Sequence, residues 1–136
     1  MVRSILAVVA GFIVITVTMT GANLLSLRLV PPVPTNAWQS MFLLANVTYG
    51  FIFKALGGYV TALLSRRHPI VHASVLGGVI LLMSLVAFSL PAPNPPPFWY
   101  PLLSTVGGAG SVVFGGYIGA AQNSRRSAGM AAVPQS

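Results

Sequence analysis

Lys54 is the residue in this sequence whose type and position most suggest chemistry. It lies within a long apolar stretch, about ten residues or ~15 Å of helix before the basic turn at Arg66-Arg67. A charged group at such a depth in a membrane costs at least about 2.5–3.5 kcal/mol, so it is by default a candidate for function. Asn46 and Thr61 recur at helical spacing from Lys54. We therefore treat Lys54, Asn46 and Thr61 as a candidate intramembrane polar site.

Lys54 has no acidic side chain to pair with, because the chain contains seven Lys and Arg residues, no Asp or Glu and no Cys. This composition removes carboxylate acid–base chemistry, carboxylate metal ligands and thiolate chemistry. Three outcomes stay open for Lys54. It is a neutral amine through loss of hydration, it extends to cytoplasmic lipid phosphates, or it meets an anion supplied by a partner subunit, a substrate or an ion.

His68 and His72 are four residues apart, which places two imidazoles on one face of a helix. A zinc site needs more ligands than the sequence offers nearby, so we predict interfacial histidines, no metal site and no cofactor. Ser, His and Lys are present, but no set of nucleophile, base and orienting group can be assembled from them. The sequence therefore predicts that the protein is not an enzyme.

The elements that position these residues are predicted to be transmembrane helices. Of the 136 residues, 55% are hydrophobic and 5% are charged, whereas soluble domains carry about 25% charged residues. Four apolar stretches are long enough to span a membrane, at about 4–27, 40–64, 70–90 and 101–121. We predict an all-α, four-transmembrane-helix bundle: a single membrane domain over 1–121 and a polar, disordered tail over 122–136.

The distribution of positive charge predicts the orientation of the spans. Arg66 and Arg67 mark one turn as cytoplasmic, and Arg125 and Arg126 mark the tail in the same way. Both termini are then cytoplasmic, in a multi-pass protein of the bacterial inner membrane. The basic residues occur singly or in pairs beside apolar runs, a pattern typical of topology signals, so we expect membrane lipids as partners and no nucleic acid.

Two segments of the sequence resemble each other. Gly57-Gly58-Tyr59 followed by Arg66-Arg67 is echoed by Gly115-Gly116-Tyr117 followed by Arg125-Arg126. The repeat predicts two tandem helical hairpins related by a pseudo-twofold axis along the membrane normal; independent convergence is the alternative. The first stretch also resembles a signal peptide ending near Thr20-Gly21-Ala22, but its removal would break the first copy of the repeat.

Small residues are predicted to bring the helices together, because lipid removes the hydrophobic drive for helix association and close contact needs small side chains. The predicted packing residues are Gly11, Gly57, Gly58, Gly77, Gly107, Ser111, Gly115 and Gly119. Gly108, Gly116 and Ala120 form a second stripe on the fourth span. That stripe is expected either to pack within the bundle or to be spare for a homodimer or for a larger complex.

The segments Gly57-Gly58-Tyr59-Val60-Thr61-Ala62, Arg66-Arg67-His68-Pro69 and His72-Ala73-Ser74-Val75-Leu76-Gly77 resemble small uncharacterised bacterial four-helix integral membrane proteins. The resemblance covers the second and third spans and implies the four-helix fold, with no activity to carry over. Small multidrug-resistance transporters share the length and helix count, but they use a membrane-embedded Glu that this sequence lacks.

Two functions are consistent with these features. The first is a non-catalytic accessory or scaffold subunit of a membrane complex, or a self-associating helix bundle. The alternative is a small oligomeric channel or carrier for an anion or a neutral solute, with Lys54, Asn46 and Thr61 along its path.

Overall fold

The computed structural model describes residues 2–29, 36–65, 68–91 and 95–131, and these residues form helices without any strand. Four of the helical segments are long and apolar enough to cross a membrane, namely Ser4–Ser26, Ser40–Leu64, Pro69–Ser89 and Trp99–Ser127. The prediction of an all-α protein with four candidate transmembrane helices is confirmed, and the chain has the character of a multi-pass membrane protein.

The first three spans are single helices: α1 is Val2–Leu29, α2 is Asn36–Leu64 and α3 is Pro69–Ser89. The fourth span consists of α4, Trp99–Leu102, a π-helical turn, Leu103–Gly107, and α5, Gly108–Ala131. Helices are the expected form, because a segment in lipid must satisfy its own backbone hydrogen bonds. Pro69 begins α3, where its missing N–H costs nothing.

The helices pack as a ring in which α2 contacts α1 and α5, while α3 contacts α5 and α1. The contact between α2 and α5 is the most extensive, and α3 also touches α2. Leu76 of α3 and Val112 of α5 are fully buried at the centre, with Ile15 and Ile80 beside them.

Burial is concentrated near the turn that joins α2 to α3. On α3 the buried residues are Ala73, Leu76, Gly77 and Ile80, whereas residues 85–90 at its other end are all exposed. The five helical residues among them, 85–89, cover every face of the helix, so no element encloses this end. We call the part of the bundle next to the α2–α3 turn the closed half, and the part next to the two proline-rich segments the open half.

The fourth helix is longer than predicted. The tail was expected to be disordered from Gln122 onward, but α5 continues to Ala131. Contacts with α2 hold the start of this extension: the Tyr59 hydroxyl donates a hydrogen bond to Gln122 Oε1, and Asn123 Nδ2 donates to the Ala62 carbonyl at 3.1 Å. The expectation of disorder is therefore wrong for residues 122–131, and 132–136 lie outside the described residues.

The pseudo-twofold axis is not confirmed. The repeated glycine pairs have different neighbours, because Gly57 faces α1 and Gly58 faces α5, whereas Gly115 faces α2 and Gly116 faces Ala73 of α3. A twofold axis along the membrane normal would place α1 and α3 on opposite sides of the α2–α5 pair. Instead, the two helices contact each other, so the duplication stays a prediction from the sequence.

Candidate intramembrane polar site

Lys54 is half-buried, and its Nζ donates a hydrogen bond to the Ser104 carbonyl at 3.0 Å. Ser104 belongs to the π-helical turn of the fourth span. Helical side chains lean towards the N-terminus of their own helix, so Lys54 extends into the open half and away from the turn at Arg66-Arg67. The side chain therefore extends away from the turn that was predicted to be cytoplasmic, and not towards lipid phosphates on that side, which was one of the outcomes left open by the sequence.

The Ser104 carbonyl lies in the π-helical turn, where the regular hydrogen-bond pattern changes. In a regular α-helix this oxygen would accept a hydrogen bond from the Gly108 N–H, but that N–H is directed to the Thr105 carbonyl. π-Helical turns interrupt the regular ladder in this way and are frequent at functional sites. No pattern in the sequence identified the turn, so the acceptor of Lys54 was not predictable.

Two glycines, the last residue of the turn and the residue after it, make room for side chains of α2. A Cβ on Gly107 would lie 2.5 Å from the Phe51 ring, and a Cβ on Gly108 would lie 3.0 Å from Cδ of Lys54. Any side chain at Gly108 would therefore displace the lysine. The absence of side chains at Gly107 and Gly108 thus leaves space for Phe51 and Lys54.

A chain of hydrogen bonds lies in the open half beside Lys54. The Tyr49 hydroxyl donates to Asn23 Oδ1 at 2.7 Å, and Asn46 Nδ2 donates to Asn23 Oδ1 at 3.1 Å and to the Tyr49 hydroxyl. The Tyr100 hydroxyl donates to Asn46 Oδ1 at 3.0 Å, and Ser104 follows one turn after Tyr100. These residues join α1, α2 and the fourth span, and we call them the polar network: Asn23, Asn46, Tyr49, Lys54, Tyr100 and Ser104.

The structure separates the three residues of the predicted site. Lys54 and Asn46 both belong to the polar network. Thr61 lies in the closed half, fully buried against Gly11, and its hydroxyl donates to the Gly57 carbonyl at 2.9 Å. Thr61 therefore occupies a packing contact between α1 and α2.

Four members of the network were missed by the sequence argument: Asn23, Tyr49, Tyr100 and Ser104. For Asn23 the residue type was a signal, since an Asn within an apolar span needs a hydrogen-bond partner. Their contacts depend on which faces of α1, α2 and the fourth span meet, and one sequence does not contain that information. All acceptors in the network are neutral oxygens, so the network supplies a cation and donors without a compensating anion.

The glycines named from the sequence lie at helix contacts, where several face backbone carbonyls. A Cβ on Gly77 would lie 3.3 Å from the Ala109 carbonyl, and a Cβ on Gly119 would lie 2.9 Å from that of Tyr59. The half-buried Ser111 donates its hydroxyl to the Gly107 carbonyl at 2.7 Å. The remaining contacts pair Gly11 with Gly57, Gly58 with the Val112 carbonyl and Gly115 with the Ala55 carbonyl.

The second stripe of the fourth span is not spare. Gly108 lies against Lys54 and Gly116 lies against Ala73, so both glycines are used within the chain. The two glycines therefore contribute to packing within the bundle.

Arg125 and Arg126 lie at the closed end, as do His68 and His72. Arg125 and Arg126 are exposed on α5, while Arg66 and Arg67 lie outside the described residues. His72 Nδ1 is 3.0 Å from Ser65 Oγ and 2.9 Å from the His68 carbonyl, which ties the turn to the start of α3. In the described part of the chain, no group of three or more His, Cys, Asp or Glu residues is placed to hold a metal ion.

Comparisons of the chain with models of protein families, with curated proteins and with solved structures find no match.

Proposed function

We propose that this chain is a non-catalytic, multi-pass subunit of a complex in the bacterial inner membrane, where it has an accessory or scaffold role. The observation that carries the proposal is the half-buried Lys54, whose hydrogen-bond acceptor is the neutral Ser104 carbonyl in a chain without Asp or Glu. A cation within a membrane is costly unless it is paired or solvated. A partner subunit that supplies an anion removes this cost.

A second copy of the chain is a poorer partner than a different protein. Another copy brings no Asp or Glu side chain to Lys54. In addition, Gly108 and Gly116, which were expected to serve self-association, already contact Lys54 and Ala73. The geometry therefore favours a hetero-complex over a self-associating bundle.

The proposal includes an orientation. Both termini face the cytoplasm, in accord with the positive charge at Arg66, Arg67, Arg125 and Arg126. The open half then lies in the outer leaflet, and the two proline-rich segments face the exterior. We also propose that the two glycine-pair segments arose by duplication of one hairpin and that their packing has since diverged.

The orientation is tested by cysteine labelling, for which the chain is suited because it contains no cysteine. We expect Phe98→Cys, at a side chain that is 84% exposed, to react with a membrane-impermeant maleimide in intact cells. Ser127→Cys, at an exposed position near the other end of the fourth span, is expected to react only after permeabilisation. The opposite labelling pattern would show that the orientation is inverted.

The subunit proposal is tested by Lys54→Met, with Leu56→Met as the matched control on a side chain that is 45% exposed. The wild-type chain and the control are expected to co-purify with a partner in constant stoichiometry from mild detergent. Lys54→Met is expected to lose most of that partner while it remains folded by circular dichroism. A wild-type chain that purifies as a solitary monomer after in-membrane cross-linking contradicts the proposal.

The second candidate function is a carrier or an oligomeric channel for an anion or a neutral solute. The observation in its favour is the polar network, which includes the exposed Asn23 and the half-buried Lys54. However, the fully buried Ala62, Leu76 and Val112 fill the closed half, so passage requires rearrangement or an assembly. Anion flux into liposomes that is lost in Lys54→Met would favour this function, and absence of flux would exclude it.

A further inference from the structure

We propose that the polar network receives a carboxylate, carried by an Asp or Glu side chain within the outer-leaflet half of a partner's transmembrane helix. This inference rests on the proposed subunit function and gives the partner a chemistry, a depth and a direction of approach.

The donors of the network select an anion. The Lys54 ammonium has three N–H donors, and the Ser104 carbonyl accepts one of them. The hydroxyl of Tyr100 donates to an amide oxygen of Asn46, a neutral acceptor that a carboxylate would outcompete. A carboxylate offers about four lone-pair sites, so it has the capacity to accept from more than one donor.

The depth of the site selects a side chain over a lipid phosphate. Ser104 lies five residues after Trp99, which is about 7.5 Å of helical rise. Trp and Tyr side chains mark the level of the headgroups, so the lysine head lies below that level. Moreover, the Tyr100–Asn46 hydrogen bond joins the fourth span to α2 on the side towards the proline-rich segments. A carboxylate carried by a helix reaches this depth without crossing that bond.

The packing gives the approach from the side. α1 packs on α2 and α3, and the fourth span packs on α2 and α3, but among the described residues α1 and α5 make no substantial contact. At the open end this gap is bordered by Asn23, which is exposed, and by Gly21, which has no atoms within 4 Å of its Cβ position. On its α3 side the exposed residues 85–90 border the gap, and the Phe88 ring packs edge-on against the Tyr100 ring with centroids 5.9 Å apart. A partner helix in the lipid therefore meets the network at the exposed Asn23 and the half-buried Lys54.

The experiment uses the full-length chain in phosphatidylcholine vesicles, labelled at Phe98→Cys, and synthetic leucine–alanine transmembrane peptides flanked by Trp. One peptide carries Glu about five residues inside its Trp flank, its twin carries Gln there, and a third carries Glu at the bilayer midpoint. Energy transfer between peptide and protein measures the association. We expect the first peptide to bind about tenfold more tightly than either control, which corresponds to about 1.4 kcal/mol.

Three variants complete the test. Lys54→Met is expected to abolish the preference for Glu, Tyr100→Phe to reduce it while the ring stays in place, and Leu56→Met to leave it unchanged. Equal binding of the Glu and Gln peptides to the folded wild-type chain overturns the inference. A Lys54-dependent preference for phosphatidylglycerol in place of the Glu peptide also overturns it and assigns the site to a lipid phosphate.

These outcomes are distinguishable from failure of the proposed function. If a native partner co-purifies in a Lys54-independent manner and the peptides bind equally, the subunit function stands and the carboxylate site does not exist. If the Glu peptide binds selectively but cross-linking in cells captures no partner, the site stands as a carboxylate receptor and the subunit function falls.

Discussion

Replacement of Gly58 by Ala is expected to destabilise the bundle by about 3 kcal/mol, the upper end of the cost of overpacking. A Cβ at this position would overlap the carbonyl of Val112 on α5. That oxygen belongs to a backbone and cannot rotate away, so α2 and α5 must move apart. The contact of Gly115 with Ala55, in the same helix pair, is weakened by the same movement.

The matched control is Gly110→Ala, because a Cβ on Gly110 meets nothing within 4 Å. Alanine is favoured over glycine in a helix by about 0.8–1.0 kcal/mol, so this change is expected to be neutral or stabilising. The two variants contain the same substitution and are expected to differ in sign. The stability of both variants is measured by thermal melting in detergent, in which the monodisperse fraction on size-exclusion chromatography is monitored against temperature. Equal melting temperatures would mean that Gly58 does not lie against Val112.

Lys54→Met is expected to favour membrane insertion of α2 by about 2.5–3.5 kcal/mol, which is the cost of a lysine at the centre of a span. α2 is less apolar than α1 and α3, so its insertion is more sensitive to the loss of one charged residue. The lost hydrogen bond to Ser104 offsets about 1 kcal/mol of this gain in the assembled bundle. Without its lysine, the chain is therefore expected to insert into the membrane more readily. The same change is expected to remove the contact with the proposed partner.

The measurement is a glycosylation-reporter assay of α2 insertion in the full chain. Leu56→Met is again the control, because Leu56 and Met differ little in hydrophobicity. Unchanged insertion of Lys54→Met would mean that the ammonium already reaches water, in conflict with its contact in the π-helical turn. The assay thereby distinguishes an ammonium group that stays within the bundle from one that reaches water.

The four spans were predictable because their cause is local. An apolar segment of sufficient length must be helical in lipid, whatever surrounds it, and the segment at Ser4–Ser26 matches the prediction closely. The positions of small residues were equally visible. The sequence alone did not show which neighbour each would meet, since Gly57 and Gly58 are adjacent and face different helices.

The site was predictable only in part, for a similar reason. Lys54 stands out because its cost is intrinsic to the residue, whereas Tyr100 and Asn23 join it through the arrangement of three helices. The acceptor of Lys54 depends on an irregular turn, which no periodicity in the sequence indicates. The extension of α5 through Asn123 depends on a carbonyl of α2, a contact that a compositional prediction of disorder does not consider.

The π-helical turn at Leu103–Gly107 also has a consequence for chain length. A π-turn accommodates one residue more than a regular α-helix of the same rise, and each residue of an α-helix corresponds to a rotation of about 100°. Deletion of the exposed Val106 would therefore restore a continuous ladder and turn the Trp99–Leu102 segment relative to the glycine face of α5. Such a shortened chain would retain the closed half but rotate Tyr100 away from Asn46. In this protein, the number of residues between Tyr100 and Gly108 therefore sets a rotation about the axis of the fourth span. This rotation relates the end of the span that contacts the polar network to the end that packs in the closed half.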